Sequence, residues 1–179
     1  MNKQYILGLD CSTVATGWCI IDKTTNQLFK SGCLKIDSKD NPNTINRIIN
    51  MMFFISNLIK KYKPKEIVAE DVPPSVKNSF TVKQLSTLKG CTLTLANLNS
   101  IPVTYILPNV WQPALGIKKA NGSTKQQSVR WVNKKYNKRF TYKSEGSKFN
   151  DDDETDSICI ASYYLGNYDK PKRLERKKK

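Results

Sequence analysis

The sequence contains no histidine. This removes Ser-His and Cys-His nucleophilic pairs, imidazole general bases and His-ligated zinc. The cysteines Cys11, Cys19, Cys33, Cys91 and Cys159 are odd in number and form no C-x-x-C pair. They read as reduced, cytosolic thiols serving as small core residues. Any chemistry rests on carboxylates, lysines, hydroxyls or thiols. A metal site would be all oxygen, which points to Mg²⁺ or Mn²⁺.

Four carboxylates stand where solvated ones are not expected. Asp10 closes the apolar run Ile6-Leu7-Gly8-Leu9, and Glu70 closes Ile67-Val68-Ala69. Asp153 and Asp156 lie three apart at the start of a helical pattern, so they share one face. The two strand ends would be neighbours in a parallel sheet, and open α/β sheets place their sites outside the carboxyl ends of strands. A helix crossing that edge would bring Asp153 and Asp156 to meet them. Carboxylates gathered this way repel one another unless cations neutralise them. Two divalent ions per site are the economical answer, and they suit phosphodiester hydrolysis that leaves 5′-phosphate and 3′-hydroxyl ends. Each residue also has a plainer role open to it. Asp10 can cap the turn before Ser12 and Thr13, Glu70 can pair with a surface lysine, and Asp153 and Asp156 can complement a helix dipole. Asp152 with Asp156, at i and i+4, also shares a face.

The elements that must position these residues can be read from pattern. Tyr5–Asp10, Ala15–Asp22 and Gln27–Ile36 form a meander of short strands, with a turn at Thr24-Thr25-Asn26. Asn43 is a candidate N-cap for a helix whose apolar stripe runs through Ile45, Ile48, Ile49, Met52, Ile55, Leu58 and Ile59 before Pro64. Strand Glu66–Glu70 follows. A helix over Ser79–Asn99 carries Val82, Leu85, Leu88 and Leu95, strand Ile101–Ile106 comes next, and a last helix runs from Asp153 to Leu165. The order before that last helix is β-β-β-α-β-α-β, an α/β pattern with a five-stranded mixed sheet flanked by helices.

The chain of 179 residues is one domain, read as residues 1–168 with a basic tail over 169–179. Lys and Arg number 30 against 15 acidic residues, a net charge of +15. Such an excess calls for a polyanionic partner, nucleic acid before a membrane surface. No stretch approaches the roughly 18 apolar residues of a membrane span, and no signal peptide opens the chain. Residues 117–148 hold ten basic residues and one glutamate, with Tyr136, Phe140 and Tyr142 interleaved.

The motifs together resemble a family. Ile6-Leu7-Gly8-Leu9-Asp10 with Thr16-Gly17-Trp18 looks like the opening strand and hairpin of the RuvC Holliday-junction resolvases, which have the ribonuclease H-like fold. Ile67-Val68-Ala69-Glu70 is similar to their second acidic strand. Lys77-Asn78 and Leu88-Lys89-Gly90 resemble their following loop and dimer helix, and Leu115-Gly116-Ile117 with Lys125-Gln126-Gln127 the stretch that carries their active-site lysine. Asp153-Glu154-Thr155-Asp156 resembles their closing D-x-x-D, and this spacing favours Asp153 over Asp152. The likeness spans about residues 5 to 165. It implies a homodimeric, Mg²⁺-dependent endonuclease, with Mn²⁺ as a substitute, that nicks opposed strands of four-way and other branched DNA. Asp10, Glu70, Asp153 and Asp156 become metal ligands, and Lys125 a phosphate or transition-state contact. Lys77, Asn78, Lys118, Lys119, Lys125 and Arg130 become DNA contacts. The setting implied is the cytoplasm of a bacterial cell or a phage-infected host.

This chain departs from the pattern in places. Cys11-Ser12 replaces a frequent Pro-Gly, and Pro73-Pro74 stands where bacterial members carry an aromatic that unstacks junction bases. Phe80 is assigned to the core rather than to that role, and Trp111 falls near where some members carry a lysine. Three alternatives compete. Gly8-Leu9-Asp10-Cys11-Ser12-Thr13 also resembles the first phosphate loop of actin-like and sugar-kinase ATPases, but those need two such domains. A noncatalytic nucleic-acid-binding relative would not require all four acids. A broader nuclease acting on forks, flaps, D-loops or RNA-containing duplexes shares the fold and the acids.

Overall fold

The computed structural model describes residues 3–74, 77–143 and 150–166. The expected basic tail and the boundary at 168 lie outside these residues. Strands β1 (Tyr5–Cys11), β2 (Ala15–Asp22) and β3 (Leu28–Lys35) form the antiparallel meander. Strand β4 (Glu66–Glu70) runs parallel to β1, and β5 (Val103–Ile106) parallel to β4, so the sheet order is β3-β2-β1-β4-β5. This is the mixed five-stranded sheet expected from the sequence.

Turn chemistry explains the hairpins. Between β1 and β2 the Ser12 hydroxyl accepts from Ala15 N at 3.0 Å, and Ser12 N donates to Ala15 O at 2.7 Å. Ser12 therefore closes that turn itself, without Asp10. Between β2 and β3, Asp22 Oδ1 accepts from Thr24 N at 2.9 Å and Asn26 takes a left-handed φ of 56°.

Helices cover both faces, so the central strands are apolar on both sides. Leu7, Leu9, Ile67 and Ala69 face helix α1 (Thr44–Tyr62), against Ile55, Leu58 and Ile59. Ile6, Cys19 and Val68 face the other way, into a cluster with Ile158, Cys159, Ile160 and Ala161 of helix α5 (Asp152–Gly166). Each large apolar side chain buried here contributes about 1.5–3 kcal/mol. Asn43 caps α1 as expected, accepting from Ile45 N and Asn46 N. The stripe needs a correction: Ile45 and Ile49 are exposed, and Met51 and Arg47 are buried. Arg47 turns inward because it ties the preceding loops to the helix, donating to the carbonyls of Thr13, Asn41 and Pro42.

Helix α2 (Ser79–Leu98) buries Leu88, Thr92 and Ala96, an i, i+4, i+8 row, with Val82, Leu85 and Leu95 only half-buried. Phe80 is 66% exposed and is not in the core, because the first turn of α2 precedes the part that packs. The pattern missed two helices, α3 (Pro108–Ala114) and α4 (Thr124–Tyr136). Helix α4 lies within the basic stretch and buries Ser128, Val129 and Val132. Among the described residues no helix is long and apolar enough to cross a membrane.

Candidate active site

Asp10 is the penultimate residue of β1, and Glu70 ends β4. The parallel register pairs Leu9 with Ala69, which sets the two acids side by side at the carboxyl ends of the strands. Alternation puts both on the face opposite Leu9 and Ala69, the face that α5 covers. The two carboxyl groups crowd each other, and burial with the repulsion among these acids raises the proton affinity of both. Glu70 Oε1 also accepts from the Trp111 indole at 3.2 Å. Glu70 thus meets Asp10 and Trp111 rather than a surface lysine, and the nearby Lys89 pairs with Asp71 instead.

Two glycines let α5 reach this edge. A Cβ on Gly8 would lie 2.7 Å from Ser157 O, and one on Gly17 would lie 1.8 Å from Asp153 O. Gly17 is the β2 residue paired with Asp10. The first turn of α5 therefore rests on the backbone beside Asp10. It carries Asp152, Asp153 and Asp156 to the ends of β1 and β4. Asp156 is buried, Ser128 of α4 lies close enough to its carboxyl to favour the ionised form, and its Oδ1 has no partner. Asp152 is buried and forms an ion pair with Lys125 of α4. Asp153 is half-buried, with Oδ2 4.0 Å from Cys33 Sγ.

Burial and mutual repulsion raise the proton affinity of this group. Burial, then the Glu70 and Asp153 charges, hold Asp10 well above the usual carboxylate range. Burial and the Asp156 charge push Glu70 up to about 7, against the pull of the Trp111 and Asp10 hydrogen bonds. Burial and Asp10 raise Asp156, and burial and Asp152 raise Asp153. Partial burial works to lower Lys125, but its hydrogen bond and charge pairing with Asp152 outweigh this and leave it raised. Asp153 is among the charges that act most strongly on Asp10, whereas Asp152 is matched by Lys125.

These residues fit a divalent cation. The donor set is all oxygen and lacks nitrogen or thiolate, the preference of Mg²⁺ and Mn²⁺. An unpartnered buried carboxylate oxygen, Asp156 Oδ1, costs about 1–3 kcal/mol or more and is a position a cation would satisfy. Among the described residues no three such groups already converge into an ion cage. Asp10 and Glu70 crowd each other, and Asp152 is already paired with Lys125. A cation bound here needs these carboxylates ionised, so their raised proton affinity makes its binding favour higher pH.

The expected DNA contacts do not all converge. Lys118 and Lys119 are exposed, on a loop that Gln127 pins by accepting from Lys118 N at 3.1 Å and donating to Lys118 O at 2.9 Å. Lys125 is at the site. Arg130 lies five residues along α4, about 140° round from Lys125, so the two do not share a face. Lys77 is exposed between β4 and α2, and the Asn78 side-chain oxygen is taken up in capping α2, accepting from Phe80 N and Thr81 N. The sequence reading missed Trp111, Ser128 and the Asp152 pairing. Ser128 lies three residues after Lys125 on the same helix face, a spacing visible in the sequence. Trp111 gave no such signal, because its partner is 41 residues away.

A family model described as "Crossover junction endodeoxyribonuclease RuvC" matches residues 6–143. The RuvC crossover junction endodeoxyribonuclease of Cronobacter sakazakii is 30% identical over 128 residues, 70% of this chain and 72% of that protein. That of Fusobacterium nucleatum is 30% identical over 157 residues, 87% of this chain and 77% of that one. In fold the chain is similar to Thermus thermophilus RuvC bound to a Holliday junction substrate, with a TM-score of 0.67 at 13% identity, covering 91% and 95% of the two chains. It is also similar to the fowlpox virus resolvase in complex with Holliday junction DNA, with a TM-score of 0.56 at 19% identity, covering 93% and 100%. The chain belongs to the RuvC family of crossover junction endodeoxyribonucleases.

Proposed function

We propose that the protein is a divalent-metal-dependent endonuclease that resolves four-way DNA junctions by paired nicks, leaving 5′-phosphate and 3′-hydroxyl ends. The observation that carries this is the gathering of Asp10, Glu70, Asp153 and Asp156 at one sheet edge, with a buried Asp156 oxygen lacking a partner. Two Mg²⁺ per site, or Mn²⁺ in their place, would supply an activated water and stabilise the departing 3′ oxygen. Asp10, Glu70, Asp153 and Asp156 would hold the ions. Lys125, half of its side chain exposed beside Asp152, can turn its ammonium to a phosphate oxygen and stabilise charge developing there. Lys118, Lys119 and Lys77 add sequence-independent attraction for the DNA backbone. Arg130, round the helix from the site, would serve at most a more distant stretch of the strand.

Paired nicking needs two active sites, and we read the protein as a homodimer. Ile45, Ile49 and Phe53 form an exposed apolar stripe at i, i+4 and i+8 on α1, a surface that suits association. The cytoplasm of a bacterial cell or a phage-infected host is the proposed location. Pro73-Pro74 and the exposed Phe80, in place of a defined stacking aromatic, favour a second reading in which forks and flaps are cut as well.

Cleavage of a labelled four-way junction in Mg²⁺, beside a fork and a linear duplex, tests the proposal. Symmetric, religatable nicks strongest on the junction and absent in Asp10→Asn are expected, with junction binding retained by the variant. Equal cutting of fork and junction would establish the broader nuclease. Binding without cutting in either metal would refute an enzymatic role.

A further inference from the structure

Trp111 is wholly buried, and its indole N–H donates to Glu70 Oε1 at 3.2 Å. We propose that Trp111 is a positioning residue that fixes Glu70 for the cation, engaging Oε1 and leaving Oε2 to the metal. This rests on the divalent-metal reading of the site.

Three features support the assignment. An indole nitrogen can only donate, and its hydrogen lies in the ring plane, so the orientation of the ring sets the direction of the bond. That ring is held by the core: it belongs to the cluster that includes Val68, Ile117, Val132 and Ile158, and its backbone is anchored in α3, where Leu115 N donates to Trp111 O at 3.1 Å. At 0% exposure no solvent water reaches the indole, so losing the bond would leave a buried donor unpaired. A glutamate has rotatable bonds that a neighbouring strand cannot restrain. The indole restrains them from a separate element, and it adds no charge. A lysine or arginine at the same point would orient Glu70 too, but it would also compete electrostatically with the cation.

Trp111→Phe keeps a ring in the core and removes the N–H. In the full chain without DNA, Mn²⁺ binding measured by calorimetry is expected to weaken about 10-fold, the loss typical when a partner orienting a metal ligand is removed. Junction cleavage at subsaturating Mn²⁺ should fall in parallel and recover as Mn²⁺ is raised, while junction binding in EDTA stays unchanged. A folded Trp111→Phe protein that binds Mn²⁺ like the wild type overturns the proposal. A wild-type protein that binds no Mn²⁺ refutes the metal-site reading itself. If Trp111→Phe does not fold, a Trp18→Phe, Trp131→Phe chain leaves Trp111 as the sole indole. Paramagnetic Mn²⁺ should then quench its emission along the calorimetric isotherm, and unchanged emission despite binding also overturns the proposal.

Discussion

Gly17→Ala is expected to separate α5 from the sheet and disable the site. A Cβ at this position would lie 1.8 Å from Asp153 O, 2.2 Å from Asp153 C and 2.8 Å from Glu154 N. All three atoms are helix backbone, so no side chain can rotate out of the way. Reaching the 3.4 Å of ordinary contact requires the first turn of α5 to retreat by about 1.6 Å, and a displacement near 1 Å in a catalytic constellation can cost about 100-fold in rate. Overpacking of this kind costs roughly 3 kcal/mol. In a domain of this size that lowers Tm by about 6–12 °C. Thermal melts followed by circular dichroism and single-turnover cleavage of a four-way junction would read both effects. Gly90→Ala is the matched control. Nothing lies within 4 Å of its Cβ on α2, so it should gain about 1 kcal/mol of helix propensity and leave cleavage unchanged. A Gly17→Ala protein with wild-type Tm and cleavage within a few-fold of wild type would refute the close approach of α5 to β2.

Two further expectations follow from the site. Glu70 is raised to about 7, so between its unfolded value near 4.5 and that pH the folded state holds more protons than the unfolded chain. The contribution of Glu70 to stability is therefore full below about 4.5 and is lost as pH rises through about 7. In EDTA this term lowers Tm from pH 5 to pH 8, and Mg²⁺ should restore it most at pH 8, where Glu70 is ionised; an Mg²⁺ effect on Tm that is largest at pH 5 would contradict this. Asp153→Asn should reduce cleavage at least 100-fold, whereas Asp152→Asn, which leaves Lys125 without its partner, should reduce it far less and act mainly through Lys125. The opposite ranking in single-turnover rates would exchange the two ligand assignments.

Much of this was legible in the sequence because strand ends, spacing and turn residues act locally. Asp10 and Glu70 each close an apolar run, and a parallel pair sets two such ends side by side without further information. The five-strand order followed for the same reason. The basic stretch hid α4, because a helix with only Ser128, Val129 and Val132 buried carries a weak apolar signal among its lysines. Phe80 was misplaced because hydrophobic type says nothing about whether a helix's first turn reaches the core.

The choice between Asp152 and Asp153 illustrates what spacing cannot decide. At i, i+4 and i, i+3 from Asp156, both share its face to within a fraction of a turn. What separates them is tertiary. Lys125 arrives from α4 to neutralise Asp152, while Gly17 brings the backbone of Asp153 down onto the strand that carries the partner of Asp10. An acid already matched by an ammonium gains less from a cation than one crowded by other acids. Asp153 is such an acid, since burial and the Asp152 charge both raise it and it raises Asp10 in turn. The three-residue spacing and the electrostatics thus favour the same ligand for independent reasons, and the Asp152 and Asp153 variants test the second of them directly.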